Sequence, residues 1–304
     1  MTRHLLSLLD LKREEVVDLI DMGRRFKKDR QRGKLSKALK GKTLGLIFEK
    51  ESTRTRVSFA VAMAELGGNF LIMEDHSTQL KRGESYADTA RVLSTYLHGL
   101  AIRTGAQSKL EELSRFASIP IINALSDLTH PCQILADLMT IQEERGSLKN
   151  LKVAYVGDGN NMANSWIEAA TLLGFNLSVA APKGFEPEAK VLQKIGVPSA
   201  GNIALQSKPE AAVQNADVIA TDTWFSMGQE ADIEIKRRAF EPYQVNEKLL
   251  SLAHATAIVL HCLPAHRGEE ITDAVMEGPN SRVLQEAENR LHMQKAVLVK
   301  FLKP

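Results

Sequence analysis

Cysteine is scarce in this chain: Cys132 and Cys262 are the only two in 304 residues. Two thiols cannot build a disulfide framework, which excludes the small stapled scaffolds of secreted proteins. No apolar run approaches the length that spans a bilayer. The stretch Met1–Asp10 has a short apolar patch without the h-region and cleavage site of a signal peptide. It runs straight into an acidic helical pattern, so it fails as a transit peptide too. An excess of one charge is also missing. Lys and Arg number 39 against 37 Asp and Glu, the signs are interleaved, and the net charge is +2. With no basic tail and no like-charge block, neither nucleic acid nor a membrane surface is an expected partner. These absences predict a cytoplasmic protein. Internal repeats and low-complexity segments are lacking as well.

What is present has the composition of a globular enzyme, 44% hydrophobic and 25% charged, and a length that fits two domains. Apolar strand-like runs alternate with amphipathic helical stretches. Strands are predicted at 43–48, 69–73, 100–103 and 120–123, then at 151–156, 177–181, 217–221 and 257–261. Helical spacing falls between them, for example at 88–97, 109–116 and 165–173. The alternation predicts an α/β fold of two domains, each a parallel sheet flanked by helices, with the active site in the cleft between them. Pro131 opens a linking helix that runs to Arg145, Gly146 ends it, and Ser147–Asn150 leads into a fresh strand. Domains are therefore expected at 1–146 and 147–285. The helical pattern near the C-terminus, 286–304, is expected to pack back on the first.

The most informative stretch is Ser52-Thr53-Arg54-Thr55-Arg56. It falls where an apolar strand gives way to a helix, so its residues occupy a first turn with unpartnered N–H groups and a positive dipole end. Three hydroxyls and two forked cations there predict a site for phosphate or a similar dianion. A solvated helix start with two surface arginines is the plainer account, and five aligned donors weigh against it.

Ligands of open α/β sheets bind beyond the carboxyl ends of the strands, and nearly every predicted strand here is followed by polar residues. In the first half these include Ser77-Thr78-Gln79, Lys81-Arg82-Gly83, Arg103-Thr104 and Asp127 to Gln133. Arg54 and Arg103 with the hydroxyls suit an anion. His130 can donate to a carbonyl oxygen that gains negative charge, although a plain helix cap ahead of Pro131 accounts for it equally well. Gln133, one turn on, can accept from an amide. Cys132 between them is expected to face the core. In the second half, Asp222 can pair with an ammonium group, unless it is only a turn former after its strand. Ser226, the Met227 backbone and Asn161 can grip a carboxylate or assist Asp222. Cys262 is a candidate acid/base or orienting group, with a structural buried thiol as the alternative.

Two tempting motifs fail. Gly157-Asp158-Gly159 follows a strand, but Met162 stands where a dinucleotide fingerprint needs its third glycine, so NAD is not expected. His254, His261 and His266 lack recognisable metal spacing with carboxylates or thiols, and no metal or other cofactor is predicted.

Taken together, four segments resemble the aspartate/ornithine carbamoyltransferase family. They are Ser52 to Arg56, His130-Pro131-Cys132-Gln133, Asp222 to Gly228, and His261-Cys262-Leu263-Pro264. The first two are similar to the carbamoyl-phosphate site shared across the family, and the last two resemble its ornithine branch. The resemblance runs from about Leu5 to the C-terminus. It implies that Ser52, Thr53, Arg54 and Thr55 bind phosphate, and that Arg103, His130 and Thr55 surround the carbamoyl oxygen. Gln133 then meets the carbamoyl nitrogen within the segment that includes Pro131 and Cys132. Gln79 resembles a family residue that reaches the site from a loop, often across a subunit boundary. Arg290 matches a C-terminal arginine on carbamoyl phosphate, and Cys262 and Leu263 match the loop near the reacting centre. Asn161, Asp222, Ser226 and Met227 match ornithine contacts.

The implied activity is transfer of a carbamoyl group from carbamoyl phosphate to ornithine in arginine metabolism, with Arg103, His130 and Cys262 at the chemistry and a homotrimer or multiple of trimers as the assembly. Lys81-Arg82-Gly83-Glu84 departs from the ornithine pattern toward the aspartate branch. Aspartate, acetylornithine and putrescine therefore stay open as acceptors. A non-catalytic anion-binding module is a further alternative.

Overall fold

In a computed structural model, the structure describes residues 2–74, 78–195, 202–225 and 233–303. They form two compact units, one of residues 1–139 with 288–304, the other of residues 140–287. The sequence divides the chain at 146/147 and at 285/286; the units divide it within two helices, at 139/140 and 287/288.

The first unit alternates helix and strand: α1 (Arg13–Gln31), β1 (Thr43–Phe48), α2 (Thr53–Glu65), β2 (Asn69–Glu74), α3 (Tyr86–Tyr96), β3 (Gly99–Arg103), α4 (Gln107–Phe116), β4 (Ile121–Leu125) and the start of α5 (Pro131–Arg145). Its four strands are parallel in the order β2-β1-β3-β4. The order reverses between β1 and β3, and Phe48 at the end of one lies in register with Arg103 at the end of the other. That reversal opens a crevice beyond the strand ends, where the Ser52–Arg56 run and Arg103 both fall. Beneath it, Ile47, Leu100, Ile102, Leu110 and Ile121 share one buried cluster. β2 differs from its neighbours: it is the sheet edge, and Leu71 and Ile72 on it are exposed, as is Val57 on α2.

The second unit holds β5 (Lys152–Val156), α6 (Asn161–Leu173), β6 (Asn176–Ala180), α7 (Ala189–Ile195), β7 (Ile203–Gln206), α8 (Pro209–Val213), β8 (Val218–Thr221), α9 (Ile233–Phe240), α10 (Glu247–Leu250), β9 (Ile258–His261) and α11 (Asp273–Met276). The last helix, α12 (Val283–Leu302), begins here and ends in the first unit. The strands are all parallel in the order β7-β6-β5-β8-β9. Again the order reverses once, between β5 and β8, and the residues beyond those two strands meet. β7 is absent from the strands predicted by sequence. It has four residues, lies on the sheet edge and is only half-buried, so it carries little of the apolar signal that marks a central strand. Among the described residues, no helix is long and apolar enough to cross a membrane.

Candidate active site

In the first unit, α2 starts at Thr53 with Ser52 as its extended N-cap residue, and the Ser52 hydroxyl makes no capping bond. The first-turn N–H groups of α2 therefore lack a side-chain cap from Ser52, and such groups are the donors an anion takes at a helix start. Arg54 is half-buried and meets no carboxylate among the described residues. Arg56 behaves differently from the five-donor expectation. Its guanidinium pairs with Glu74 at 2.9 Å and lies 5.2 Å from the centre of the Phe48 ring, so it braces β1 and β2.

Thr55 is buried, and its Oγ1 accepts from Arg290 Nη2 at 2.6 Å. The other terminal nitrogen of Arg290 donates to Gln133 Oε1, and Gln133 Nε2 donates to Asp137 Oδ1 at 2.8 Å. One buried guanidinium from α12 therefore ties the start of α2 to the start of α5. His130, directly before α5, is buried as well. Burial, then the facing cations Arg290 and Arg103, hold its imidazolium form well below the ordinary value of 6.5. A neutral imidazole at this position donates one N–H without competing for the proton of its ligand. Cys132 faces the core, where its Sγ donates to the Asn123 carbonyl at 3.5 Å, and burial pushes its thiol up to about 12. A buried thiol raised in this way carries little of the thiolate that nucleophilic attack needs. Gln79 opens a short 3-10 turn, Gln79–Arg82, and is exposed; no hydrogen bond joins its side chain to Thr55, His130 or Arg290 among the described residues.

Sequence reasoning passed over Glu49, the residue after β1. Its carboxylate accepts from Tyr86 at 2.7 Å, Thr104 at 2.5 Å and Lys109 at 2.8 Å. Burial alone would raise its pKa, but Lys109, Thr104 and Tyr86 outweigh that and leave it lowered. Glu49 thereby locks the loop before Ser52 to the loop after Arg103.

The low proton affinity of His130 has a consequence for stability. Its folded value lies below 6.5, so beneath pH 6.5 the unfolded chain binds a proton that the folded chain refuses. Stability should fall as pH drops below 6.5, with a contribution from this residue of at most ~1.4 kcal/mol per pH unit. His292, lowered to about 4 first by burial, adds to the same trend. A His130→Asn variant should show a shallower fall in urea unfolding free energy over this window; an unchanged slope contradicts the assignment.

In the second unit, Asp222 follows β8 and is buried. Its Oδ1 accepts from the Thr223 N–H at 2.8 Å and from Cys262 Sγ at 3.0 Å, and its Oδ2 accepts from Asn160 Nδ2 at 2.9 Å. Asp222 thus bonds to the turn that follows its strand, and its carboxylate is held in place by three donors. Asn160 also caps α6, its Oδ1 accepting from Met162 and Ala163. Asn161, the residue singled out by sequence, opens α6 one place further on, and it is Asn160 that reaches Asp222. The capping preference of asparagine was the available signal. Ser226 and Met227 lie outside the described residues.

The Gly-Asp-Gly segment has structural reasons of its own. A Cβ on Gly159 would sit 2.3 Å from backbone atoms of Glu186 and Pro187. Asp158 accepts from the buried Lys236 at 2.7 Å, and Lys236 Nζ stands 5.4 Å from the centres of the Phe185 and Phe240 rings. Burial raises the Asp158 pKa despite Lys236.

Among the described residues, two groups of potential metal donors form through the fold and not through sequence spacing: Asp222, His261 and Cys262, and His266, Glu269 and Glu270, each with ligand atoms within 4.8 Å. Within the first group Cys262 already donates to Asp222, and other members hold further partners. His261 Nδ1 accepts from the Leu263 N–H and its Nε2 meets Glu270. Glu269 pairs with Arg237 and His266 Nδ1 meets Thr223. Leu263, with φ of 60°, follows Cys262 at the end of β9.

The first unit thus gathers Thr55, Gln133 and Arg290 near His130, and the second holds a carboxylate–thiol pair, Asp222 with Cys262. Residues 3–143 match the model of the aspartate/ornithine carbamoyltransferase carbamoyl-phosphate-binding domain, and residues 149–301 match that of the aspartate/ornithine-binding domain. The chain belongs to the aspartate/ornithine carbamoyltransferase family.

Among its relatives, the ornithine carbamoyltransferase of Syntrophus aciditrophicus is 52% identical over 98% of this chain and 99% of that protein. The ornithine carbamoyltransferase of Pyrococcus furiosus superposes with a TM-score of 0.93 at 50% identity, covering 97% of this chain and 96% of that one. The anabolic ornithine carbamoyltransferase of Campylobacter jejuni superposes with a TM-score of 0.91 at 41% identity, covering 99% of both chains.

Proposed function

We propose that the protein transfers the carbamoyl group of carbamoyl phosphate to the δ-amine of L-ornithine, giving L-citrulline and phosphate in arginine metabolism. The observation that carries this is the buried His130, kept neutral, with Arg290 fixed on Thr55 and Gln133 beside it. Donors so arranged stabilise a carbonyl oxygen as it becomes an oxyanion. The neutral amine attacks the carbonyl carbon, a C–N bond forms, and the C–O bond to phosphate breaks. Phosphate departs into the pocket of Ser52, Thr53, Arg54 and Thr55, and the proton lost by the amine is balanced on the released phosphate as hydrogen phosphate. Arg103, His130 and Thr55 face the carbamoyl oxygen, and Gln133 the carbamoyl nitrogen. Asp222, with Asn161, Ser226 and Met227, holds the amino-acid end of ornithine, while Cys262 and Leu263 lie at the reacting centre.

Residues 1–146 bind carbamoyl phosphate in this account and 147–285 bind ornithine, with 286–304 returning Arg290 to the first domain. The assembly is a homotrimer or a multiple of one, in which Gln79 serves a neighbouring subunit. The exposed apolar edge formed by Val57, Leu71 and Ile72 supports a covered face there. Two free cysteines support a cytoplasmic location. The phosphate assignment is tested by Arg54→Ala, which should weaken carbamoyl-phosphate binding by about a hundredfold or more in calorimetry. Unchanged affinity would sink it.

A further inference from the structure

Tyr155 stands on β5, the central strand of the second unit's sheet, in register with Val179 on β6 and Ala220 on β8. Its neighbours along the strand, Val153, Ala154 and Val156, are buried and apolar, and Tyr155 itself is only 1% exposed. Phenylalanine would fill nearly the same space without a hydroxyl to withdraw from water. The hydroxyl donates to Asn160 Oδ1 at 3.2 Å. Between the two, Gly157 has φ of 147°, which suits glycine, and Asn160 turns back to meet the strand it follows.

We infer that Tyr155 is a positioning residue for the acceptor, one that sets the Asn160 amide so that its nitrogen faces Asp222; this rests on the proposed role of Asp222 in holding ornithine. An asparagine amide has an accepting end and a donating end, and its partners decide which way round it sits. Oδ1 collects the Tyr155 hydroxyl together with the Met162 and Ala163 N–H groups at 2.9 and 3.3 Å. All three are donors, so the nitrogen is left for Asp222 Oδ2, at 2.9 Å. The two N–H groups fix the amide to α6. The hydroxyl fixes it to the sheet from which Asp222 also rises, and the Asp222 carboxylate in turn takes the Cys262 thiol at 3.0 Å.

The phenol is suited to orienting and not to proton transfer. Burial first, then the nearby Asp222, Asp158 and Cys262, hold its proton well past the ordinary value of 10, so it stays a donor throughout the neutral range. Thr221 Oγ1 donates to the Val156 carbonyl at 2.7 Å and joins the ends of β5 and β8. The series Tyr155–Asn160–Asp222 therefore spans two strands that are themselves fastened, and a shift of the amide passes to the carboxylate.

The test uses Tyr155→Phe, which removes the hydroxyl and little else, and Asn160→Ser, which keeps a cap for α6 but has no nitrogen for Asp222. The two are compared singly and together. Tyr155→Phe should raise the KM for ornithine about fivefold, the worth of one hydrogen bond, with kcat and the KM for carbamoyl phosphate within about twofold of the parent. In the Asn160→Ser background the same change should move the ornithine KM by less than about twofold, because the amide through which it acts is gone. The second readout is alkylation of Cys262 by iodoacetamide without substrate, for which Cys132, buried and raised to about 12, is silent. A carboxylate less firmly held should release the thiol and speed alkylation about threefold in Tyr155→Phe, with no further gain when that change is added to Asn160→Ser. An ornithine KM unmoved in Tyr155→Phe, or equal effects of the hydroxyl in both backgrounds by either readout, overturns the inference. Alkylation needs no acceptor, so a protein inactive on ornithine would overturn the functional reading while the alkylation cycle still decided this one.

Discussion

An Arg290→Leu variant should lose about three orders of magnitude in kcat/KM for carbamoyl phosphate, equivalent to ~4 kcal/mol of transition-state binding. Arg290 reaches the first unit from α12 and donates to both Thr55 and Gln133. Leucine fills much of the volume but removes the charge and strands two buried acceptors, each at about 1–3 kcal/mol. The variant also withdraws one of the two cations that disfavour protonation of His130, so its pKa should move upward and the acid limb of activity with it. Arg290→Lys separates the contributions. It restores a point charge without the fork, and recovers only part of the loss. Steady-state kinetics against carbamoyl phosphate, with phosphate binding by calorimetry, measure both. A loss below tenfold in Arg290→Leu would remove this residue from the site.

Asp222→Asn should act on the other substrate. The carboxylate accepts three hydrogen bonds, from Thr223, Cys262 and Asn160. An amide keeps one oxygen for two of them and turns its nitrogen toward the Asn160 amide, a donor facing a donor. The negative charge that draws an ammonium is lost as well. kcat/KM for ornithine should fall by about a hundredfold or more, near 3 kcal/mol, as for breaking a buried charge pair. Carbamoyl-phosphate affinity should be unchanged, since Asp222 and the phosphate-binding residues belong to different units. Equal damage to both substrates, with normal thermal stability, would contradict the division of labour.

Much of this arrangement was legible in the chain because strands and helix starts are local properties. The parallel sheets follow from apolar runs such as Leu44–Phe48 and Val153–Val156, which lie under helices on both faces. The strand-to-helix junction at Ser52 to Arg56 follows from residue types at one helix start. What escaped depends on partners far along the chain. Arg290 is named through the family resemblance alone; by residue type it sits among Glu286, Glu288 and Asn289 like a solvated helix face, and its bonds to Thr55 and Gln133 are what the fold adds. Glu49 reads as an ordinary charge after a strand until Tyr86, Thr104 and Lys109 close around it. Arg56 looks equivalent to Arg54, yet Glu74 and the Phe48 ring claim it. Asn160 and Asn161 are chemically identical neighbours, and only the helix cap distinguishes the one that faces Asp222.

The most direct measurement offers the protein carbamoyl phosphate with ornithine, and separately with aspartate, acetylornithine and putrescine, while following product and phosphate together. The account predicts citrulline and phosphate in equal amounts from ornithine, with kcat/KM for the other three acceptors lower by about a hundredfold or more, the discrimination expected when buried polar groups lose their partners. No citrulline from ornithine, or equally efficient transfer to any of the other three, would contradict it.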